Sequence, residues 1–449
     1  MTQVMDTTDA RTSLGADFED LIAGGDGPLI QTRRRAMGRF LELGLPTTRD
    51  ESWKYTSLRD LAALGLSRPA AALPEAGSLE PMLLDPVWPR IVLVNGRVAP
   101  ELSAIAQGRA GALPVGVRIE SLQSAPRESG VLIDEHLSKY APIESDPFTA
   151  LNTAMAEDAA LIHVAQGVRL DTPIHVLHVT MPGDRPQACH PRVLLVAEPD
   201  ARVCLVETFA SLGPDADTLT NAVSEIVVAR GARVEHHRLI EQSSRSWHIG
   251  RIQVHQQGGS RFTTFVVPFG GRLVRTDIGA ALAGSGCRCD LHGAYLLDAG
   301  EHVDNALHVE HASPDCDSRE LFKGVLSGRS HGVFTGRILV KEGAQKTDAK
   351  QTNASLLLSD RARADARPQL EIFADDVKCT HAATIGQLDE QAIFYLRARG
   401  LTDQRARALM VRAFLGEVLD QIGPAPLRER VERLTFERLS ALTHAVGTA

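Results

Sequence analysis

Short apolar or alternating segments recur through the middle of this 449-residue chain, from about residue 161 to residue 384. Turn-forming residues such as Gly258-Gly259 and Gly270-Gly271 separate them. Many short strands between such turns predict a β-sandwich, a β-barrel or a β-solenoid. No strict numerical repeat distinguishes the three. The segments include Val193–Val196, Val203–Val206, Ile226–Val228, Val234–Ile240, Ile252–His255, Phe262–Val267 and Val333–Val340.

Helical patterns flank this β-rich part. The segment from Pro28 to Gly44 carries apolar residues at helical spacing and stops at glycine. Near the other end, a helix from Asp389 to Arg399 is expected to end at Gly400. Thr402 is placed to cap a further helix. The chain therefore reads as a β core joined to helical regions on both sides.

Composition and charge argue against several classes of protein. A formal charge of −8 argues against a general nucleic-acid binder. No basic segment followed by an apolar core is seen at the N-terminus, and no apolar run approaches membrane-spanning length. Six cysteines without a CxxC pair show no disulfide framework. We therefore expect a soluble, cytoplasmic protein with reduced thiols and no membrane or nucleic-acid partner.

The segment Lys378-Cys379-Thr380-His381 carries the most distinctive chemistry. In an extended chain, residues two apart share a face, so Cys379 and His381 would lie side by side. A nearby histidine can lower the pKa of a thiol, and thiolate and imidazole both suit iron or zinc. The alternative is a buried cysteine beside a hydrogen-bonded histidine. Spacing alone favours that alternative.

Other histidines and cysteines form weaker groups. Strand alternation would put His302 and His308 on one face and His311 on the other, which disfavours a shared metal near Cys316. A cluster of Cys287, Cys289 and His292 lacks the further ligands of a structural zinc site, and His236 and His237 should point to opposite faces. We interpret these groups as structural. The chain also lacks the phosphate-loop, HExxH and dinucleotide motifs.

A series of motifs then occurs in a fixed order. It comprises Trp53-Lys54-Tyr55-Thr56, Val333-Phe334-Thr335-Gly336, Lys346-Thr347-Asp348, Asn353 with Leu356-Leu357, Pro368–Ile372, Ala374–His381 and Ile393–Gly400. This series closely resembles the SufD family, the scaffold subunits of the SUF iron–sulfur cluster assembly machinery. Thr380, Ala382 and Arg367 depart from residues that the family often has. Since alanine has poorer access to positive φ than glycine, we expect the turn after His381 to differ slightly.

The resemblance implies a right-handed parallel β-helix flanked by helical regions. The corresponding segments are an N-terminal helical or mixed region over residues 1–150, a β-helix over 151–385, and a C-terminal helical region over 386–449. The resemblance further implies pairing with SufB through the β-helix, and binding of the ATPase SufC through the C-terminal helices. A homodimer is an option when these partners are absent.

The resemblance also assigns roles to residues. His381 and Cys379 become candidate ligands of a nascent iron–sulfur cluster at the partner interface, with His381 the stronger candidate. Phe394, Tyr395 and Arg397 become the candidate SufC surface, although Phe394 could equally be core. The subunit itself would be a non-catalytic scaffold without a tightly bound cofactor. It would hold a cluster only transiently, and reduced flavin is a further option.

Two other identities fit parts of the sequence. One is SufB, the sister subunit, whose segment corresponding to Lys378–His381 looks different. The other is a β-helix enzyme acting on carbohydrate, for which grouped carboxylates would be needed. Asp304, Glu310, Asp315 and Asp317 could supply such a group. A purely structural adaptor, in which Cys379 and His381 bind nothing, is a third possibility.

Overall fold

The computed structural model describes residues 8–23, 28–105 and 113–446. Its α-helices are α1 (Thr8–Ile22), α2 (Pro28–Leu43), α3 (Arg59–Ala62), α4 (Gly130–His136), α5 (Pro147–Met155), α6 (Glu390–Ala398), α7 (Asp403–Leu419) and α8 (Ala425–Val446). Short 3₁₀ helices span Glu51–Trp53, Ala76–Met82, Pro100–Leu102, Leu122–Ser124 and Arg127–Ser129. No helix in these described ranges is both long and apolar enough to cross a lipid bilayer.

In the same described ranges, twenty strands make up the rest of the regular structure. They are β1 (Arg90–Val94), β2 (Arg97–Val98), β3 (Val117–Ser121), β4 (Ala160–Val164), β5 (Ile174–Thr180), β6 (Gln187–Cys189), β7 (Arg192–Ala197), β8 (Arg202–Ser211), β9 (Thr218–Val228), β10 (Arg233–Glu241), β11 (Ser246–Gln256), β12 (Arg261–Pro268), β13 (Leu273–Leu282), β14 (Arg288–Leu297), β15 (His302–His311), β16 (Asp317–Leu326), β17 (His331–Val340), β18 (Asp348–Leu357), β19 (Arg363–Ile372) and β20 (Lys378–Gly386).

Successive strands from β7 to β20 alternate between two sheets. The first sheet has the order β2-β1-β5-β8-β10-β12-β14-β16-β18-β20, and the second runs β19-β17-β15-β13-β11-β9-β7-β4-β3. Strand pairs are parallel except β1–β2 and β3–β4. The chain thus winds as a β-solenoid of about eight turns. The predicted β-helix with helical flanks is confirmed, and the sandwich and barrel are excluded.

The solenoid turns differ in length, which explains why the sequence shows no strict repeat. Phe262 pairs with Cys289, 27 residues later, whereas Ser318 pairs with Ala349, 31 residues later. The pairing is nevertheless in register through each sheet. It stacks Phe262, Cys289, Ser318, Ala349 and Cys379 into one column that faces the interior.

The interior is mainly aliphatic in the earlier turns. Residues such as Ile91, Leu205 and Ile252 are fully buried in one cluster between the two sheets. Burial of this kind contributes roughly 25 cal/mol per Å² of apolar surface. Because parallel strands buried on both faces need apolar residues on both, these segments read as near-continuous apolar runs.

Each sheet carries a helical layer on its outer face. Helices α1, α2 and α5 pack with Trp53 against Leu219 and Trp247 of the second sheet. The C-terminal helices α7 and α8 pack against Phe265 and Leu296 of the first sheet. The C-terminal helices are therefore fixed to the same sheet that ends in β20.

Asn95 and Gly96 form the hairpin turn between β1 and β2, with φ of 49° and 85°. Two predictions for the C-terminal helices are confirmed. Gly400 follows α6 with φ of 96°. Thr402 caps α7 by accepting the backbone N–H of Arg405. The expected turn after His381 is wrong, because β20 continues in register with β18 as far as Gly386.

Candidate functional site

The last turn of the solenoid, formed by β19 and β20, is open. Within the described ranges, β19 pairs only with β17 and β20 only with β18, so each leaves one edge without a strand partner. Large apolar side chains are exposed beside these edges, with Ile385 49% and Phe373 64% accessible. Unpaired edges with exposed apolar residues are a template for another chain. We call β19, β20 and Phe373 the terminal turn.

Cys379 lies at the open end of the inner column. Its side chain is partly buried against Ile338, Val340 and Ala349. Burial raises the pKa of the Cys379 thiol, and the nearby charge of Asp348 raises it further. The lowering that a neighbouring histidine can cause does not decide the direction here, because desolvation is the largest effect on this thiol.

His381 lies two residues further along β20, on the same face as Cys379. Its side chain is exposed and makes no hydrogen bond or ion pair with any residue that the structure describes. Its partner in register is Gln351, which is buried and donates through Nε2 to Glu320. Burial raises the pKa of Glu320 to about 8. The His381 imidazole is therefore free to bind a ligand, and it lies next to the buried, uncharged pair of Gln351 and Glu320.

The two side chains offer one sulfur and one nitrogen donor on a surface that faces solvent. A tetrahedral metal site needs four donors. The described residues supply these two at the open end of the solenoid. The arrangement can form part of a metal or cluster site, with further donors coming from outside the chain.

Helix α6 follows β20 after only three residues. Asp389 caps it by accepting two backbone N–H groups, and Ile393 is its buried residue. Phe394 is 73% accessible, so in this chain it is not a core residue. Tyr395 is also exposed, and Arg397 Nη1 lies 3.5 Å from Asp403 Oδ1. The three predicted partner-binding residues lie close together on this exposed helix.

The weaker histidine and cysteine groups do not converge, as predicted. Cys287 and Cys289 are in the solenoid interior, whereas His292 stacks on Phe265 outside the first sheet. His311 Nε2 lies 2.9 Å from Ser318 Oγ in the interior, and His302 Nε2 lies 2.9 Å from Thr56 Oγ1 on the other side of the second sheet. His302 and His311 are therefore structural hydrogen-bond partners.

The carboxylates considered for a carbohydrate enzyme are also dispersed. Asp304 is buried and bonded to Arg275 and Thr56, and Glu310 is paired with Lys341. Asp317 begins a strand of the opposite sheet. Asp304, Glu310 and Asp317 therefore form no pair of free, facing acids, which disfavours the carbohydrate-enzyme alternative.

Two polar clusters were not found from the sequence. Inside the solenoid, Glu207 accepts hydrogen bonds from Arg238 and Ser224 and lies 2.8 Å from His236 Nε2. Outside the first sheet, Cys204, Glu235 and His237 come together. The sequence indicates two members of this second cluster, because Glu235 and His237 are two residues apart on one strand. Its third member can be found only when the register of β8 with β10 is known.

Comparison with known proteins identifies the family. The family model described as the SUF system FeS cluster assembly, SufBD core domain, matches residues 179–414, and that of the SufBD protein N-terminal region matches residues 88–176. The chain belongs to the SufBD family. It is 31% identical over 446 residues to an iron–sulfur cluster assembly SufBD family protein of Synechocystis, covering 96% of both chains.

Two relatives in this SufBD family are SufD proteins. The chain is 30% identical to the iron–sulfur cluster assembly protein SufD of Escherichia coli, over 89% of this chain and 91% of that protein. It is 27% identical to SufD of Bacillus subtilis over 68% of this chain. The resemblance seen in the sequence motifs is confirmed. The matched core domain includes the terminal turn and extends into α7.

Proposed function

We propose that this protein is the SufD-type subunit of a SUF complex, in which it pairs with SufB and with the ATPase SufC to assemble iron–sulfur clusters. The terminal turn binds SufB, and His381, supported by Cys379, contributes to the cluster site between the two subunits. The cluster is the cargo of this complex. The observation that carries the proposal is an open solenoid end that bears an unengaged histidine beside a cysteine.

The terminal turn has the features of a pairing surface. Two parallel strands present free edges at the same end of the molecule, so a second solenoid can extend both sheets. Exposed apolar side chains of Ile372, Phe373 and Ile385 would be buried in the process. Ile385 is on the same face of β20 as His381 and Cys379. Pairing would therefore enclose the two candidate ligands.

The C-terminal helices support a link between the ATPase and this interface. Phe394 and Tyr395 are exposed on α6, where a partner can bury them. Only residues 387–389 separate α6 from β20. Helices α7 and α8 are packed on the sheet that β20 completes. Movement of SufC halves on ATP binding would act on α6 and so on the strand that carries His381.

One co-expression experiment tests both surfaces. This chain is produced with SufB and SufC, purified, and measured by native mass spectrometry. Ile385→Asp introduces a charge on the terminal turn and should abolish SufB binding while SufC remains. Phe394→Ala should weaken SufC binding while SufB remains. Val131→Asp, at an exposed position on α4, is the control that should retain both.

The outcomes are distinct because the two surfaces lie on different elements. Loss of SufB in the Ile385 variant alone supports pairing through the terminal turn. A complete complex with all three variants would contradict the proposal. Loss of both partners in the Val131 control would show that the assay reports misfolding instead.

A further inference from the structure

A second group of metal-ligand side chains lies far from the terminal turn, on the outer face of the first sheet. Cys204, Glu235 and His237 each place one donor atom, a sulfur, a carboxylate oxygen and an imidazole nitrogen, within 4.8 Å of one another. The group is unrelated to Cys379 and His381, which lie on β20 at the end of the same sheet.

The register of two strands builds this group. Cys204 on β8 and Glu235 on β10 are direct partners across the parallel pair. His237 follows Glu235 by two residues and therefore projects from the same face of the sheet. His236, between them, faces the interior and reaches Glu207. Strand geometry thus fixes three different donor types side by side.

Neighbouring contacts hold the donors in place. The His237 ring is buried and stacks on Phe265, with ring centroids 5.0 Å apart and planes 11° from parallel. His237 Nε2 lies 2.7 Å from Glu235 Oε1. The backbone of Gly423, after α7, lies close to the Glu235 carboxylate, since a Cβ at position 423 would be 2.6 Å from Glu235 Oε1.

The group has access to solvent on one side. Glu235 also lines a cavity of about 430 Å³ between the first sheet and the end of α7, together with Asp290, His292 and Gln421. The cavity is large enough for water molecules and for an additional small ligand. A metal ion held by the three donors would keep an open coordination position toward it.

We infer that Cys204, Glu235 and His237 form a binding site for a single divalent transition-metal ion, with Zn²⁺ preferred over Fe²⁺. Sulfur and imidazole donors select against Mg²⁺ and Ca²⁺, which take oxygen ligands. Affinity for such a donor set increases from Fe²⁺ to Zn²⁺ along the usual series of divalent metals. Three protein ligands and one open position are the arrangement of zinc sites that bind a water or a substrate.

Binding requires only small local changes. The ion displaces the proton of the Cys204 thiol, which is released to solvent. The single ring proton of neutral His237 moves from Nε2 to Nδ1, so that Nε2 and Glu235 Oε1 exchange their hydrogen bond for bonds to the ion. A purely structural role, in which the three residues only pack and hydrogen-bond, predicts no metal binding at this position.

Cobalt provides a direct test, because a thiolate bound to Co²⁺ gives a charge-transfer absorption. The metal-free full-length chain is titrated with Co²⁺, and the bound cobalt is then displaced with Zn²⁺ or Fe²⁺. We expect one equivalent of Co²⁺ with a thiolate band, displaced at a lower concentration of Zn²⁺ than of Fe²⁺. Mg²⁺ should not compete.

Matched variants identify the residues that give rise to the thiolate absorption band. Cys204→Ser should abolish it, and Glu235→Gln should weaken Co²⁺ binding by at least about tenfold, the lower end of what loss of an outer-shell partner costs. Cys189→Ser, at a buried thiol beside Thr220 on the second sheet, should leave band and affinity unchanged. The inference is overturned if the wild-type chain shows no thiolate band, if the band survives Cys204→Ser, or if it is lost in Cys189→Ser. Thermal unfolding checks that each variant is folded.

Discussion

His236 and His381 lie in the same inner column of the solenoid, yet their surroundings are opposite. The column runs through His236, Thr264, Leu291, Glu320, Gln351 and His381, on alternate strands from β10 to β20. His236 is completely buried and has partners on both ring nitrogens. His381 is exposed and has no partner among the residues that the structure describes.

The difference separates a structural histidine from a candidate functional one. Burial lowers the pKa of His236, and Glu207 next to it is held ionised by Arg238 and the histidines. The partners of both side chains are residues of this chain. At the other end, His381 stands where the solenoid stops, and a second chain would be needed to complete its environment. The following predictions test this contrast, from the largest expected effect to the smallest.

The largest effect is expected at Glu207. Burial alone would raise its pKa, but Arg238 and the two bonded histidines hold the pKa well below its ordinary value. Glu207→Ala leaves the buried Arg238 without its carboxylate and should lower the free energy of unfolding by about 3–5 kcal/mol. Chemical denaturation measures this. Glu371→Ala, which removes an exposed pair with Arg337, is the control and should leave the midpoint unchanged.

The next effect concerns Glu320, in the middle of the column. Its pKa is raised to about 8 from an ordinary 4.5. Between these values the folded chain keeps a proton that the unfolded chain has lost, so stability decreases as pH rises. The slope is up to about 1.4 kcal/mol per pH unit.

Glu320→Gln removes this titration. The variant should therefore gain stability over the wild type as pH rises from about 4.5 to 8, the window set by the two pKa values. Denaturation curves at several pH values provide the measurement. Parallel pH profiles for the two proteins would show that Glu320 is ionised in the folded state.

The smallest effect is expected at the end of the column. His381→Ala in the isolated chain should change the free energy of unfolding by less than about 0.5 kcal/mol, as for most surface substitutions. His236→Ala should cost about 1–3 kcal/mol, because it leaves buried polar groups without partners. Equal losses at the two positions would contradict the contrast between them.

The sequence was sufficient for local structure and for the family. The hairpin at Asn95-Gly96, the end of α6 at Gly400 and the cap at Thr402 follow from short-range chemistry. The placement of Cys379 and His381 on one face of a strand also follows from its period of two. Each of these depends on residues that are close together in the chain.

Side-chain contacts that depend on the register of paired strands could not be predicted from the sequence. Turns of 27 to 31 residues hide the pairing of β8 with β10 and of β18 with β20. The sequence therefore did not predict the group of Cys204, Glu235 and His237, and it did not predict the buried neighbours of His381. The raised pKa of the Cys379 thiol also could not be predicted, because the burial that causes it is a tertiary contact with the cluster that includes Ile338 and Val340.

The central claim is that the open end of the solenoid provides part of a shared cluster site. It is tested by co-producing His381→Ala with SufB and SufC in cells that depend on this machinery, purifying the complex, and measuring iron and acid-labile sulfide per complex. The account predicts a complex of unchanged composition with most of its cluster lost. A complex with wild-type iron and sulfide content would contradict it.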